Sequence, residues 1–270
     1  MQNKGLSRFV IFMFIILWGN FSWSLGIPVD ITFFGLEQKA INMKNTVFSV
    51  LLTTDNVVTD GTKFDKAGTG FLVMKNDVVI GITCEHVIRE SLTNKKRVFI
   101  GLDTEDGFKK YECILTSVDA QKDIALIVPF FSSGVPKSIK NTAFSLEHLG
   151  SKSNIIEGRG IIIAGYPLDL GLEYNENHPV IRFGVIAQYA GRDHFLIDAI
   201  ANPGYSGSPV FDLKEEKVIG MIQAHHKDYI DLYDKKGILA AKIPYNSGFT
   251  LAINAELISN MLNALNIIKK

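Results

Sequence analysis

The chain has 270 residues, enough for one large or two modest domains with a substantial buried core. Hydrophobic residues make up 47% and charged ones 21%, a balance that excludes a disordered chain. With 28 Lys plus Arg against 28 Asp plus Glu there is no global field to recruit a polyanion, so no nucleic-acid partner is expected.

At the N-terminus, Lys4 and Arg8 precede an unbroken apolar run over residues 9–18, and small residues follow at Ser24 and Gly26. This is the layout of a secretory signal peptide over residues 1–26. The alternative is a retained anchor. A spanning helix needs about 20 apolar residues, however, and Gly19, Asn20 and Ser22 interrupt the run. The expectation is a mature chain starting near Ile27, secreted or periplasmic, which meets the membrane only transiently through its signal.

Short β-branched and aromatic runs then follow one another: TVFSVLLTT (46–54), GTGFLVMKN (68–76), DVVIGITCEHV (77–87), RVFIGLD (97–103), KKYECILTSVD (109–119) and DIALIVPF (123–130). Strands this short at this spacing predict an all-β antiparallel sandwich or barrel. Residues 131–154 are polar and turn-rich and read as an interdomain connection, separating an N-terminal domain (27–135) from a C-terminal one (150–270). The second set of strands is GRGIIIAGYP (158–167), VIRFGVIAQYAG (180–191), HFLIDAI (194–200), SPVFDL (208–213), KVIGMIQAH (217–225) and GFTLAI (248–253). Residues 225–247 are too long for a hairpin turn and read as a loop insertion. Leu257, Met261, Leu265 and Ile268 recur at helical spacing behind Asn254, a candidate N-cap, which predicts a terminal helix over 254–268. Cys84 and Cys113 suit either one disulfide in an oxidising compartment or two small buried hydrophobes.

Serine chemistry needs a hydroxyl, an imidazole to take its proton, and a carboxylate to fix the imidazole tautomer. Among the six histidines, His86 stands at the end of the apolar strand GITCEHV, where it would be presented rigidly to the space between two domains. Asp123 opens DIALIVPF and would sit at the edge of the core, although a turn residue is the plainer reading. Ser206 lies in ANPGYSGSPVFD, which is either an ordinary turn or a nucleophile loop. There Gly204 and Gly207 allow torsions closed to other residues, and the Gly204 and Ser206 amides can point into one concavity. His225 and His226 suggest a metal only weakly, since adjacent strand residues face opposite ways and no third ligand is evident. Cys84 lacks the glycine-flanked turn expected around a nucleophile.

Taken in order, His86, Asp123 and Ser206 lie in segments that resemble the trypsin-like serine peptidases with two antiparallel β-barrels. The bacterial branch containing the high-temperature-requirement proteases and the glutamyl endopeptidases is the most similar. GTGFLVMKNDVVIGITCEHVI resembles the strand pair leading to the catalytic histidine, ECILTSVDAQKDIALI the aspartate segment, and IDAIANPGYSGSPVFD the nucleophile loop. The resemblance covers roughly residues 45–265. It implies a chymotrypsin-like fold and His86 as general base and then acid. Asp123 becomes its orienting carboxylate, Ser206 the nucleophile, and the Gly204 and Ser206 amides the oxyanion donors. Protein or peptide substrates follow, with no metal or organic cofactor.

Three departures stand out. Tyr205 occupies the position before the serine where relatives carry Asn or Asp, which argues against activation by an ion pair there. Glu85 replaces a small residue beside His86 and, on a strand, would face away from it. The chain also reaches its terminal helix with no room for an appended peptide-binding domain. The resemblance assigns the substrate pocket to Ile200, Ile222, Gln223, Ala224 and His225. None of these is acidic, so cleavage after an apolar or small residue is expected rather than after Lys or Arg. His225 reaching an acidic side chain is the competing specificity. A catalytically inactive binding module on the same fold is the alternative function. A serine esterase on another fold is disfavoured by the His, Asp, Ser order and by the absence of an alternating strand and helix pattern.

Overall fold

The computed structural model describes residues 33–59, 61–104, 107–168, 178–233, 235–236 and 238–265. The expected signal peptide and the last residues of the expected terminal helix lie outside them. From Gln38 onward the chain forms one compact unit.

Six strands make the first barrel: β1 (Val47–Thr53), β2 (Asp65–Lys75), β3 (Val78–Thr83), β4 (Arg97–Thr104), β5 (Gly107–Asp119) and β6 (Ile124–Pro129). They run β1-β4-β5-β6-β3-β2 and close through an antiparallel β1–β2 pairing, with the two-residue β7 (Phe144–Ser145) added parallel to β2. A second closed antiparallel barrel orders β10 (His194–Asp198), β13 (Leu239–Asn254), β12 (Lys217–Tyr233), β11 (Pro209–Asp212), β8 (Gly160–Gly165) and β9 (Val180–Tyr189). The all-β two-barrel architecture expected from the sequence is therefore present. Closure leaves neither barrel with a long unpaired edge of its own.

Apolar side chains drive both closures. All seven residues of β1 are buried, because this strand faces its own barrel on one side and neighbouring elements on the other. One continuous core runs from Phe48, Phe71 and Ile127 of the first barrel through Phe144 to Phe211, Met221 and Ile253 of the second. A smaller cluster fills the second barrel around Ile163, Phe195 and Tyr205.

The described residues include four helices: α1 (Phe33–Lys44), α2 (Glu85–Asn94), α3 (Lys137–Thr142) and α4 (Ala255–Ala264). Asn254 caps α4, its side chain accepting from the Leu257 amide at 3.3 Å as the sequence suggests.

Several expectations are corrected. Residues 225–247 are not a loop but the outer half of a long β12–β13 hairpin. Its register pairs Ile230 with Ile243 and Asp231 with Lys242, and the Asp231 and Lys242 side chains face each other at 3.5 Å. The interspersed charges and Pro244 hid a two-stranded ribbon whose described side chains from Tyr229 to Lys242 are exposed. Residues 131–154 contain α3, β7 and two short 3₁₀ turns in place of an irregular connection. α1 has no counterpart in the sequence reading, because its apolar positions do not form a clean stripe. Both cysteines are free, Cys84 buried and Cys113 half-buried.

Candidate active site

His86 does not end a strand. The chain leaves β3 at Thr83, Cys84 adopts an extended N-cap conformation, and α2 begins at Glu85, which makes His86 the second helical residue. Glu85 favours that start, since a carboxylate in the first turn opposes the positive end of the helix dipole. It is 4% exposed and pairs with Arg89 one turn on at 2.5 Å. The expectation that Glu85 points away across a strand is replaced by this helical ion pair.

Asp123 is the residue before β6 and has a φ of 56°, in the left-handed region where Asp is among the better tolerated residues. The turn leading to it is closed by Asp119, whose Oδ1 accepts from the amides of Gln121 (3.1 Å) and Lys122 (3.0 Å). The Lys122 amide holds the Asp119 carboxyl below the usual carboxylate range. Asp123 grips His86 twice: Oδ1 accepts from the His86 amide at 2.8 Å, and Oδ2 lies 2.8 Å from the ring Nδ1. An ionised carboxylate can only accept, so it places the ring proton on Nδ1 and leaves Nε2 as a base.

Ser206 sits on the loop between β10 and β11. Gly204 (φ 98°) and Gly207 (φ 90°) supply the torsions that turn the chain there. A Cβ on Gly207 would lie 1.9 Å from the Thr69 carbonyl oxygen, so the loop is pressed against the first barrel. Thr69 of β2 holds it in place. Its amide donates to the Ser206 carbonyl (2.9 Å), and its hydroxyl donates to the Gly204 carbonyl (2.7 Å) while accepting from the Tyr166 amide (2.8 Å). Among the described residues, no protein acceptor takes up the amides of Gly204 and Ser206.

The Ser206 hydroxyl donates to the Gln223 carbonyl at 3.0 Å, and among the described residues no hydrogen bond joins it to His86. The structure thus brings His86 and Asp123 into direct contact, with Ser206 turned toward β12. Tyr205 is fully buried in the second barrel. Its hydroxyl donates to the Val180 carbonyl (3.4 Å), and the Arg182 guanidinium lies 5.7 Å from its ring centroid. The Ser206 loop is therefore anchored by a packed aromatic at the position where the resemblance argues against an ion pair.

The five residues assigned to the pocket separate. Ile200 is 49% exposed, whereas Ile222 is 1% exposed and belongs to the barrel core, so its side chain lines no open cleft. Gln223 is half-buried, Ala224 is exposed, and the His225 side chain lies outside the described residues.

Cys84 Sγ, His86 and Asp123 bring potential ligand atoms within 4.8 Å of one another. Burial pushes the Cys84 thiol well up, so it stays protonated, and it donates to the Ile222 carbonyl at 3.2 Å. Within this cluster the Asp123 carboxylate and the His86 ring are bonded to each other at 2.8 Å. Sequence reasoning missed Thr69 and the ties made by Gln223, whereas Asp119 already suggested the turn before Asp123. Glycines on both sides of Thr69 were the only signal that this stretch of strand is closely approached by other backbone.

Two closed six-stranded antiparallel barrels and a terminal helix, with a His–Asp pair on one barrel and a glycine-flanked serine on the other, define the chymotrypsin-like fold class. Residues 68–221 match the family described as the trypsin-like peptidase domain, and the chain belongs to this family. In fold it is similar to an HtrA-type protease, AlgW, solved with a decapeptide: TM-score 0.57 at 16% identity, covering 84% of this chain and 66% of that one. It is also similar to the MamO protease domain from Magnetospirillum magneticum in its apo form: TM-score 0.52 at 14% identity, covering 82% of this chain and 97% of that one. No curated protein matches the sequence significantly.

Proposed function

We propose that the protein is a secreted or periplasmic serine endopeptidase in which His86, Asp123 and Ser206 act as the triad. The observation that carries this reading is the doubly held His86–Asp123 pair, which leaves Nε2 as a free base. Beside it, among the described residues, the Gly204 and Ser206 amides are not engaged by protein acceptors. Rotation about the Ser206 Cα–Cβ bond exchanges the Gln223 carbonyl for His86 Nε2 as hydrogen-bond acceptor. His86 then takes the hydroxyl proton as Oγ attacks a peptide carbonyl, and the two amides receive the negative charge that develops on its oxygen. The imidazolium, held by Asp123, returns the proton to the leaving amine, and water releases the acyl group by the same steps in reverse roles. Ile200 supports acceptance of an apolar or small residue before the cut.

One observation favours a second reading, a binding module on the same fold: the Ser206 hydroxyl engages Gln223 instead of His86. Labelling the folded protein with a fluorophosphonate probe decides between the two, because the probe requires both an activated serine and an oxyanion site. Label on the wild type, absent from Ser206→Ala and reduced at least 100-fold in His86→Ala, supports the peptidase. A folded wild type that takes up no label overturns it.

A further inference from the structure

Gln223 lies where the β12–β13 register shifts, between Ile222, paired with Ala252, and Ala224, paired with Leu251. This extra residue is released from the ladder, and a bulge of this kind re-aims a side chain. Here the side chain leaves its own barrel. Its Nε2 donates to the Lys122 carbonyl at 2.8 Å, on the first barrel and one residue before Asp123. Its Oε1 lies 3.0 Å from His194 Nε2, on β10. A carbonyl only accepts, so the amide group must face Lys122 and the oxygen must face His194; the His194 ring therefore carries its proton on Nε2. The main-chain oxygen of the same residue accepts from Ser206.

We propose, resting on the peptidase reading above, that Gln223 is a positioning residue. It is a strut between the barrels that fixes the turn carrying Asp123, and hence His86, relative to Ser206, with His194 setting the orientation of its amide. The assigned role as a pocket wall gives way to this one. Asp123 sits at a positive φ at the end of the Asp119–Lys122 turn, so Lys122 is the last point at which the turn can be held before the carboxylate. A shift of about 1 Å between reacting groups costs on the order of 100-fold in rate, which gives a tether at this point its leverage.

The test compares Gln223→Met, Gln223→Glu, His194→Ala and Gln223→Met/His194→Ala with the wild type, each checked for an intact melting transition. Gln223→Met keeps the length and loses both polar ties. Gln223→Glu still accepts from His194 but sets an oxygen against the Lys122 carbonyl. The expected result is a roughly 10- to 100-fold fall in kcat for both, with KM within about twofold. His194→Ala should fall less, and the double variant no further than Gln223→Met. A kcat within twofold of wild type in Gln223→Met, or a change confined to KM, overturns the strut; the latter returns Gln223 to the pocket wall. Amide hydrogen exchange gives a readout that needs no turnover, with protection over residues 119–123 dropping at least tenfold in Gln223→Met while β1 and β13 are unchanged. Unchanged protection overturns the strut whatever the activity. Lost protection in a protein whose Ser206 never labels overturns the peptidase reading alone.

Discussion

Replacing Thr69 by Val tests whether the Ser206 loop is held by the first barrel. The substitution keeps the β-branched shape and exchanges the hydroxyl for a methyl, so packing is nearly conserved and only polar terms change. Two hydrogen bonds are lost, to the Gly204 carbonyl (2.7 Å) and from the Tyr166 amide (2.8 Å). Thr69, Tyr166 and Gly204 are all buried, so water does not replace the missing partner. Leaving a buried donor or acceptor unsatisfied costs roughly 1–3 kcal/mol per group, hence about 2–6 kcal/mol for the pair. In a chain of this size each kcal/mol shifts the melting temperature by about 2–4 °C, so the variant should melt at least about 4 °C below wild type. Thr69→Ser is the control: it keeps the hydroxyl and loses one methyl, worth about 1 kcal/mol. Calorimetry on the three proteins gives the comparison, and fluorophosphonate labelling rates on the same samples show whether the Gly204 and Ser206 amides have drifted. If the valine variant melts with or above the serine variant, the hydroxyl is not holding the loop and the reasoning fails.

Cysteine and acid chemistry give further tests. Denatured without reductant, the protein should expose two titratable thiols, because both cysteines are free. In the folded state Cys84 should resist alkylation at neutral pH, since burial pushes its thiol well up and little thiolate forms. Rapid modification of Cys84 in the native protein would refute that burial. Asp119 and Glu112 are both held below their ordinary values of 3.8 and 4.5, Asp119 by the Lys122 amide and Glu112 by the Arg97 guanidinium. A carboxyl lowered on folding stabilises the native state above its unfolded value, and that contribution is lost as pH falls through the folded one. Asp119→Asn should therefore melt below wild type at pH 7, and the gap should close as the pH is taken below 3.8. A gap that is constant with pH would show that the carboxylate charge plays no part in the turn. Sequencing of the exported protein should give an N-terminus near Ile27, and a chain retaining residues 1–26 would refute processing.

The parts of this fold that were legible in the sequence are those where side-chain period reports burial directly. Runs such as IALIV and GIIIAG sit in closed barrels and are almost wholly buried, so strand class follows from composition and spacing, whereas the choice of two barrels over a sandwich comes from the resemblance. The α4 cap was legible because Asn254 acts within three residues of itself. The misread regions share a different physics. α2 begins one residue before His86 because the backbone turns at Cys84, and the continuous apolar run from β3 gives no sign of that turn. The described side chains of the outer β12–β13 ribbon between Tyr229 and Leu239 are exposed, so burial imprints no alternation on them. The site divides along the same line. His86, Asp123 and Ser206 are singled out by the order of the segments that carry them and the resemblance of those segments, since each residue alone also suits an ordinary structural role. The residues that hold them, Thr69 and Gln223, act across more than 90 positions of sequence through single hydrogen bonds. A threonine between glycines and a glutamine in a strand are common for many reasons, so no spacing rule singles them out. What distinguishes Gln223 is a one-residue slip in register, a property of two strands together that neither sequence carries alone. Positioning of this kind is therefore encoded in pairing, which is why it required the fold, whereas the candidate His86, Asp123 and Ser206 could be proposed from the chain.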